Sequence, residues 1–150
     1  MAETGLITLS RTIAASPKHL FSVLTSPEAR QIWGPPDPQS VVLIENQPAP
    51  APGVRELSRV GPAENPYVDV TTDWIRIDEA ERLVYSEMLE AEGTALGISF
   101  ATLELTETDA GTDLNVTVQI VSFVGDEIMS EMESGWTHAF ESMANYAENG

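Results

Sequence analysis

The sequence predicts an α+β fold in which a curved antiparallel sheet of six to seven strands wraps around one long C-terminal helix. Apolar stretches with strand-like alternation recur as far as Phe123. Several of them are joined by short segments rich in turn residues, which favours antiparallel neighbours. From Asp126 onward the apolar positions repeat with the period of a helix. No linker or repeat interrupts the pattern, so residues 1–150 are interpreted as one domain.

The first third of the chain predicts one strand followed by two short helices. Residues 6–14 alternate partly between apolar and polar side chains, which is typical of a strand with one buried face. Ser16 and Ser26 each precede a proline, and a serine N-cap followed by proline at the first helical position is a common helix start. The second helix is predicted to end near Trp33, just before a Gly-Pro-Pro segment.

The middle of the chain predicts the remaining strands of the sheet. Residues 47–53 carry prolines at alternate positions, which cannot donate to a sheet ladder, so this segment is predicted to be a loop. Turn-forming residues fill 78–81 and 109–112 between consecutive apolar stretches. The predicted strands occupy residues 41–44, 54–60, 67–77, 82–89, 98–106 and 114–123.

The C-terminal helix is the clearest element of the pattern. At roughly 100° per residue its apolar side chains fall within about 140° of arc. Asp126 is predicted to be its N-cap. A large twisted sheet curls, and one helix in its concavity need not fill it, so we expect a pocket between the two. The apolar face comprises Ile128, Met129, Met132, Gly135, Trp136, Ala139, Phe140, Met143, Tyr146 and Ala147.

The charge pattern excludes several kinds of partner. The chain carries a formal net charge of −17 at pH 7, and every Lys and Arg lies at or before Arg82. Nucleic-acid affinity depends on Lys and Arg that neutralise phosphates, so we expect neither a nucleic acid nor a membrane surface as partner. The N-terminus has no secretory signal pattern and no apolar run is long enough to cross a bilayer, which predicts a cytoplasmic protein.

No cofactor and no metal are expected from the sequence. The chain has no cysteine, which excludes disulfides and thiolate zinc sites. His19 and His138 fall on or near the polar sides of their helices, and no metal-ligand spacing surrounds them. Glycine-rich phosphate loops and the Gly-x-Ser-x-Gly nucleophile motif do not occur in the sequence either.

Large apolar side chains are the candidates for lining the expected pocket, with plain core packing as the alternative for each. Methionine adapts to irregular apolar shapes, and several methionines share the final helix with aromatic residues. The predicted ligand-binding residues are Trp33, Trp74, Tyr85, Met88, Phe100, Trp136, Phe140 and Met143.

Three acids within predicted strands are candidates for proton transfer. Asp69, Asp73 and Glu87 share the middle of the sheet with one nearby base, Arg76. An acid that faced inward beside that base would have a perturbed pKa and act as a general base. Outward, solvated positions are the alternative, so no catalytic residue is assigned.

Several short motifs extend over nearly the whole chain in a fixed order. They are Arg-Thr-Ile-Ala-Ala-Ser-Pro at 11–17, Ser-Pro-Glu at 26–28, Arg-Leu-Val-Tyr at 82–85, Gly-Thr at 111–112 and Gly-Trp at 135–136. In this order they resemble the START-like or SRPBCC helix-grip superfamily, which includes the birch-pollen allergen type. Within it the likeness is to the activator of heat-shock-protein-90 ATPase homologues. The proline-rich segment at 47–53 looks longer than is usual in this family, which would alter the mouth of a pocket.

The resemblance implies the helix-grip fold and a choice of functions, because members include lipid carriers, cyclases, hydrolases and co-chaperone domains. The expected function is binding of a small hydrophobic or amphipathic ligand between the sheet and the final helix, without catalysis. One alternative is a cyclase or hydrolase that uses the same pocket, with Asp69, Asp73, Glu87 or Tyr85 as acid or base. The other is co-chaperone-like regulation of a heat-shock-protein ATPase through a protein partner. The sequence leaves the ligand and the oligomeric state, monomer or homodimer, open.

Overall fold

The computed structural model describes residues 2–149 and shows one curled antiparallel sheet of seven strands with three helices. The predicted α+β helix-grip fold is confirmed; residues 1 and 150 of the predicted domain lie outside the described part. The spatial order of the strands is β1-β7-β6-β5-β4-β3-β2. The elements are β1 Glu3–Ile13, α1 Pro17–Thr25, α2 Pro27–Trp33, β2 Ser40–Ile44, β3 Arg55–Pro62, β4 Val68–Asp78, β5 Arg82–Ala91, β6 Thr94–Thr108, β7 Gly111–Ser122 and α3 Asp126–Asn149.

Both short helices begin as their serine caps predict. The Ser16 hydroxyl accepts a hydrogen bond from the backbone N–H of His19 at 3.1 Å, and Ser26 accepts one from Ala29 at 3.3 Å. Each cap satisfies a backbone donor that the first turn of a helix leaves free. The predicted cap of α3 is wrong: Asp126 already lies inside the helix, and the carbonyl of Gly125 accepts the first helical bond.

The helix α3 packs on what we call the inner face of the sheet. Its methionines Met129 and Met132 are buried there, and two strand glycines make room for them. A Cβ at Gly5 would lie 3.0 Å from the sulfur of Met129, and one at Gly97 would lie 3.0 Å from that of Met132. A side chain at either position would therefore press on the buried methionine, which the absence of a Cβ avoids.

The helix α3 covers only part of the inner face of the sheet. Its backbone packs closely on β1 and β7 and on both short helices, but within residues 2–149 it does not pack closely on β3 or β4. The loop after α2 meets the middle of α3, because a Cβ at Gly135 would lie 3.0 Å from that of Pro36. Side chains, rather than the α3 backbone, therefore cover the part of the inner face formed by β3 and β4.

No helix in the described part of the chain is both long and apolar enough to cross a membrane.

Gly111 provides a test of the turn between β6 and β7. It has a φ of +133°, and a Cβ there would collide with the carbonyl oxygen of Ile13, whereas Gly93 has a φ of +80° with open space around it. A left-handed backbone costs a non-glycine residue about 1–2 kcal/mol. We therefore expect Gly93→Ala to lower the free energy of unfolding by about 1 kcal/mol and Gly111→Ala by at least about 2 kcal/mol. Urea unfolding followed by circular dichroism checks both; equal losses would contradict the packing described here.

Candidate functional site

Four neighbouring strands place one polar side chain each in a line across the inner face. Glu56 of β3 is the ladder partner of Thr72 in β4, Thr72 that of Glu87 in β5, and Glu87 that of Ser99 in β6. Ladder partners point to the same face of a sheet, so these four side chains lie side by side. Glu56, Thr72 and Ser99 are almost completely buried and Glu87 is half-buried. We call this line the polar row.

A buried ion pair closes one end of the polar row. The guanidinium of Arg30 in α2 donates to both carboxylate oxygens of Glu56, at 2.6 and 2.7 Å. The Glu56 side chain is 0% exposed and that of Arg30 is 12% exposed. Burial opposes the charge on Arg30, but the hydrogen bonds to Glu56 together with the nearby acidic groups outweigh it and raise the pKa of Arg30. Arg30 therefore stays charged, and its bonds to Glu56 fasten α2 to β3.

Three aromatic side chains form a second line beside the polar row, which we call the aromatic row. Trp74 and Tyr85 are ladder partners with ring centroids 4.9 Å apart, and Trp136 of α3 stacks on Tyr85 at 6.3 Å with the two planes inclined by 24°. Arg30 covers the other end, with its guanidinium carbon 5.1 Å from the Trp74 ring centroid. This arrangement is a cation–π contact followed by two aromatic contacts.

The indole N–H groups of Trp136 and Trp74 differ in their hydrogen bonding. The Nε1 of Trp136 donates to the Ser99 hydroxyl at 3.3 Å, which links α3 to the polar row. The Nε1 of Trp74 is buried and has no hydrogen-bond partner in the described part of the chain. A buried donor without an acceptor costs about 1–3 kcal/mol. Trp74 therefore offers a hydrogen bond that an acceptor entering this region would complete.

Glu87 is the acid of the site without a cationic partner. The Thr72 hydroxyl lies 3.4 Å from its carboxylate, and none of the ion pairs within residues 2–149 includes it. Burial raises the pKa of Glu87; Arg30 opposes this shift and Glu56 adds to it. Burial likewise raises the pKa of Tyr85, so its phenol is neutral at physiological pH.

The structure brings together only part of the residue set predicted from the sequence. Trp74, Tyr85 and Trp136 meet in the aromatic row. Phe140 and Met143 lie on the same side of the sheet but are buried among core residues. Trp33 is also packed against the core, but its Nε1 donates to the carbonyl of Val23 at 2.8 Å and so joins α2 to α1.

Met88 and Phe100 lie on the opposite, outer face of the sheet. Each lies next in sequence to an inward-facing residue, Met88 after Glu87 and Phe100 after Ser99, and successive strand residues point to opposite faces. Their ladder partners are Ile98 and Ser86. Phe100 is 41% exposed. These two residues are therefore separated from the aromatic row by the sheet itself.

Of the three acids considered for proton transfer, only Glu87 faces inward. Asp73 lies on the outer face and pairs with Arg55 at 2.8 Å, and Asp69 follows the same alternation. Arg76 is exposed and pairs with Asp78 at 2.7 Å. Sequence reasoning did not select four residues that the structure places at the site: Arg30, Glu56, Thr72 and Ser99.

Two depressions lie away from these rows. One of about 560 Å³ runs along the polar side of α3, beside His138 and Glu133. The other, of about 270 Å³, lies beside His19 in α1, Ala29 in α2 and Tyr146 in α3. Neither is lined by a residue of the polar or aromatic row. Between the sheet and α3, where the sequence predicts a pocket, the rings of the aromatic row pack against one another. Within residues 2–149 no group of three or more His, Asp or Glu converges in a way that could hold a metal ion.

A curled antiparallel sheet that grips a C-terminal helix against its inner face places this chain in the SRPBCC helix-grip class. The family described as "Activator of Hsp90 ATPase homolog 1-like protein" matches residues 14–148, and the chain belongs to this family. The resemblance seen in the sequence motifs is thereby confirmed.

Solved structures with the same fold come from several bacteria. A protein of Rhizobium loti is 23% identical with a TM-score of 0.81, covering 97% of this chain and 99% of its own. One of Chromobacterium violaceum is 19% identical with a TM-score of 0.82, covering 95% and 96%. One of Rhizobium leguminosarum, described as uncharacterized, is 19% identical with a TM-score of 0.80, covering 100% and 98%. No curated protein matches the chain. At this level of identity the likeness establishes the fold alone.

The buried ion pair can be tested by removing one or both of its partners. Arg30→Met leaves the Glu56 carboxylate buried without a cation, so we expect it to lower the free energy of unfolding by about 3–5 kcal/mol. The double variant Arg30→Met/Glu56→Leu removes the stranded charge and should recover much of this loss. Arg55→Met, which breaks a solvent-exposed pair, is the control and should change stability little. Urea unfolding measures all three; a double variant no more stable than Arg30→Met would contradict this account.

Glu87→Gln tests the burial of the unpaired acid through pH. Because the pKa of Glu87 is raised above its usual 4.5 in the folded state, the folded protein holds this proton longer than the unfolded chain as pH rises. The stability of the parent protein should therefore fall relative to Glu87→Gln as pH rises above about 4.5, and the two should converge below it. Urea unfolding from pH 4 to pH 8, with the exposed Glu90→Gln as charge-matched control, decides this; a constant difference would refute it.

Proposed function

We propose that this domain binds a small amphipathic ligand at the inner face of the sheet. The flat apolar part of the ligand lies against the aromatic row, and its polar end meets the polar row. The observation that carries this proposal is the contact between the two rows on a face whose other buried side chains are mostly apolar. Polar side chains buried in a core cost free energy, so a fold that needed only a core would place apolar residues there.

The bound ligand would complete interactions that the domain leaves open. An acceptor atom on the ligand satisfies the Nε1 of Trp74, which has no partner among the described residues. Further hydrogen bonds can come from the hydroxyls of Thr72 and Ser99 and from the carboxyl of Glu87, which ladder pairing holds side by side. Few, well-placed polar groups within an apolar surround are typical of small-molecule sites.

Entry to the site requires Trp136 to move. This side chain is half-buried, and its only hydrogen bond described here, to Ser99, is long at 3.3 Å. Within residues 2–149 the α3 backbone does not pack closely on β4, so we expect the indole ring to rotate away without unfolding of the helix. Ligand binding then replaces the contact between Trp136 and Tyr85 by contacts of both rings with the ligand.

Proton transfer to or from a bound ligand is a second candidate function. Glu87 favours it, because its pKa is raised by burial and it is flanked by hydroxyl-bearing Thr72 and Ser99. Catalysis predicts that Glu87→Gln keeps ligand affinity but loses turnover. Regulation of a heat-shock-protein ATPase, the remaining alternative, is a separate proposal that an ATPase assay with purified chaperone would test.

A thermal-shift screen of aromatic amphiphiles, flavonoids, fatty acids and sterols tests the binding proposal. A ligand present at 100 times its dissociation constant stabilises the folded state by about 2.7 kcal/mol, so a clear rise in Tm is expected for at least one class. Trp136→Leu should weaken that ligand about tenfold, because it removes one aromatic wall. Phe100→Leu, on the outer face, is the matched control and should leave affinity unchanged.

Two outcomes of this screen would contradict the proposal. One is that no compound raises Tm. The other is that Phe100→Leu weakens binding as much as Trp136→Leu, which would move the ligand to the outer face.

A further inference from the structure

We propose that the ligand of the inner-face site is an organic ammonium, with Glu87 as its counter-ion and the rings of Tyr85 and Trp136 as its apolar wall. This inference rests on the proposed binding function and names the class of ligand that the site takes. Three features of the described residues carry it: the charge balance of the polar row, the position of the aromatic rings, and the charge of the whole chain.

The charge balance leaves one carboxylate without a cation. Two glutamates, Glu56 and Glu87, point to the inner face, and Arg30 is the base that reaches them. Both donors that Arg30 directs at the polar row are used by the two oxygens of Glu56. Burial without a partner favours the neutral form of Glu87. A ligand ammonium would supply the missing cation, complete the row and favour the ionised carboxylate in the complex.

The aromatic rings lie where such a cation needs them. Tyr85 is two residues from Glu87 on the same strand and faces the same side. Trp136 stacks on Tyr85 and donates to Ser99, the ladder partner of Glu87. One carboxylate and two aromatic faces are thus held next to each other by backbone register. Aromatic faces of this kind attract ammonium groups, and Arg30 already makes such a contact with Trp74 at 5.1 Å.

The charge of the chain favours the same class of ligand. The net charge is −17, and no Lys or Arg follows Arg82 in the sequence, so His138 is the one basic side chain among the acids of β6, β7 and α3. A field of this sign attracts cations to the surface and repels anionic ligands such as fatty acids. The titratable and charged groups facing Glu87 are Arg30 from α2, Glu56 from β3 and Tyr85 from β5; α3 contributes the uncharged Trp136.

Three probes of similar shape and different charge test this inference by isothermal titration calorimetry at pH 7. They are (4-hydroxyphenyl)trimethylammonium, its neutral carbon isostere 4-tert-butylphenol, and the anionic 4-hydroxybenzenesulfonate. We expect the ammonium to bind at least about tenfold more tightly than the neutral isostere, as a desolvated cation–π contact and a counter-ion imply. The sulfonate should bind more weakly than both.

The matched variants assign the preference to Glu87. Glu87→Gln should reduce the difference between the ammonium and 4-tert-butylphenol to about twofold or less. Glu90→Gln removes one negative charge from the exposed part of the same strand and should keep the full preference. If Glu87→Gln does not fold, the pH dependence of the parent protein replaces this variant. Its preference for the ammonium should decline as pH is lowered, because protonated Glu87 carries no charge to pair with the ligand.

The outcomes separate this inference from the function on which it rests. Equal affinity for the ammonium and 4-tert-butylphenol, or a preference that survives both Glu87→Gln and acid pH, would overturn the ammonium proposal while leaving ligand binding intact. Absence of binding by all three probes and by every compound of the apolar screen would overturn ligand binding itself.

Discussion

The buried ion pair between Arg30 and Glu56 is the interaction on which the rest of the site depends. It fastens α2 to β3 and places a guanidinium over the ring of Trp74. Taking both charges out of water is costly, and the two short hydrogen bonds, the attraction between the charges and the contact with Trp74 offset that cost. Because Glu56 uses this cation, Glu87 two strands away remains an acid without one. The electrostatics of the inner face follow from that single pairing.

The antiparallel register of the strands aligns the other polar side chains of the site with this ion pair. Ladder pairing brings residues from β3, β4, β5 and β6 into one line, although they are far apart in sequence. On the same inner face, α3 packs on β1 and β7 at the opposite edge of the sheet and contacts the polar row through Trp136. The sheet therefore carries an ordinary apolar core beneath the helix and a polar and aromatic surface beside it. That division provides rigid support and a chemically distinct place for a ligand.

The fold could be predicted from the sequence because its signals are local. Serine followed by proline marked both short helices, and alternation marked the strands. The site could not be predicted in this way, because it depends on the face of the sheet to which each strand residue points. A change of register by one residue moves every side chain of a strand to the opposite face. Glu87 and Met88 were both candidates, yet they lie on opposite faces. Nothing in the sequence near Arg30 indicates a partner 26 positions away in β3.

The three indole N–H signals of the protein give the most direct test of a ligand site on the inner face. In a ¹⁵N-correlated NMR spectrum, assigned through single Trp→Phe variants, the tightest-binding compound among the three probes and the thermal-shift screen should shift the signals of Trp74 and Trp136. The signal of Trp33, whose N–H is bonded to Val23, should stay in place. Shifts confined to Trp33 or to backbone amides of the outer face, or no shift at all, would contradict the account.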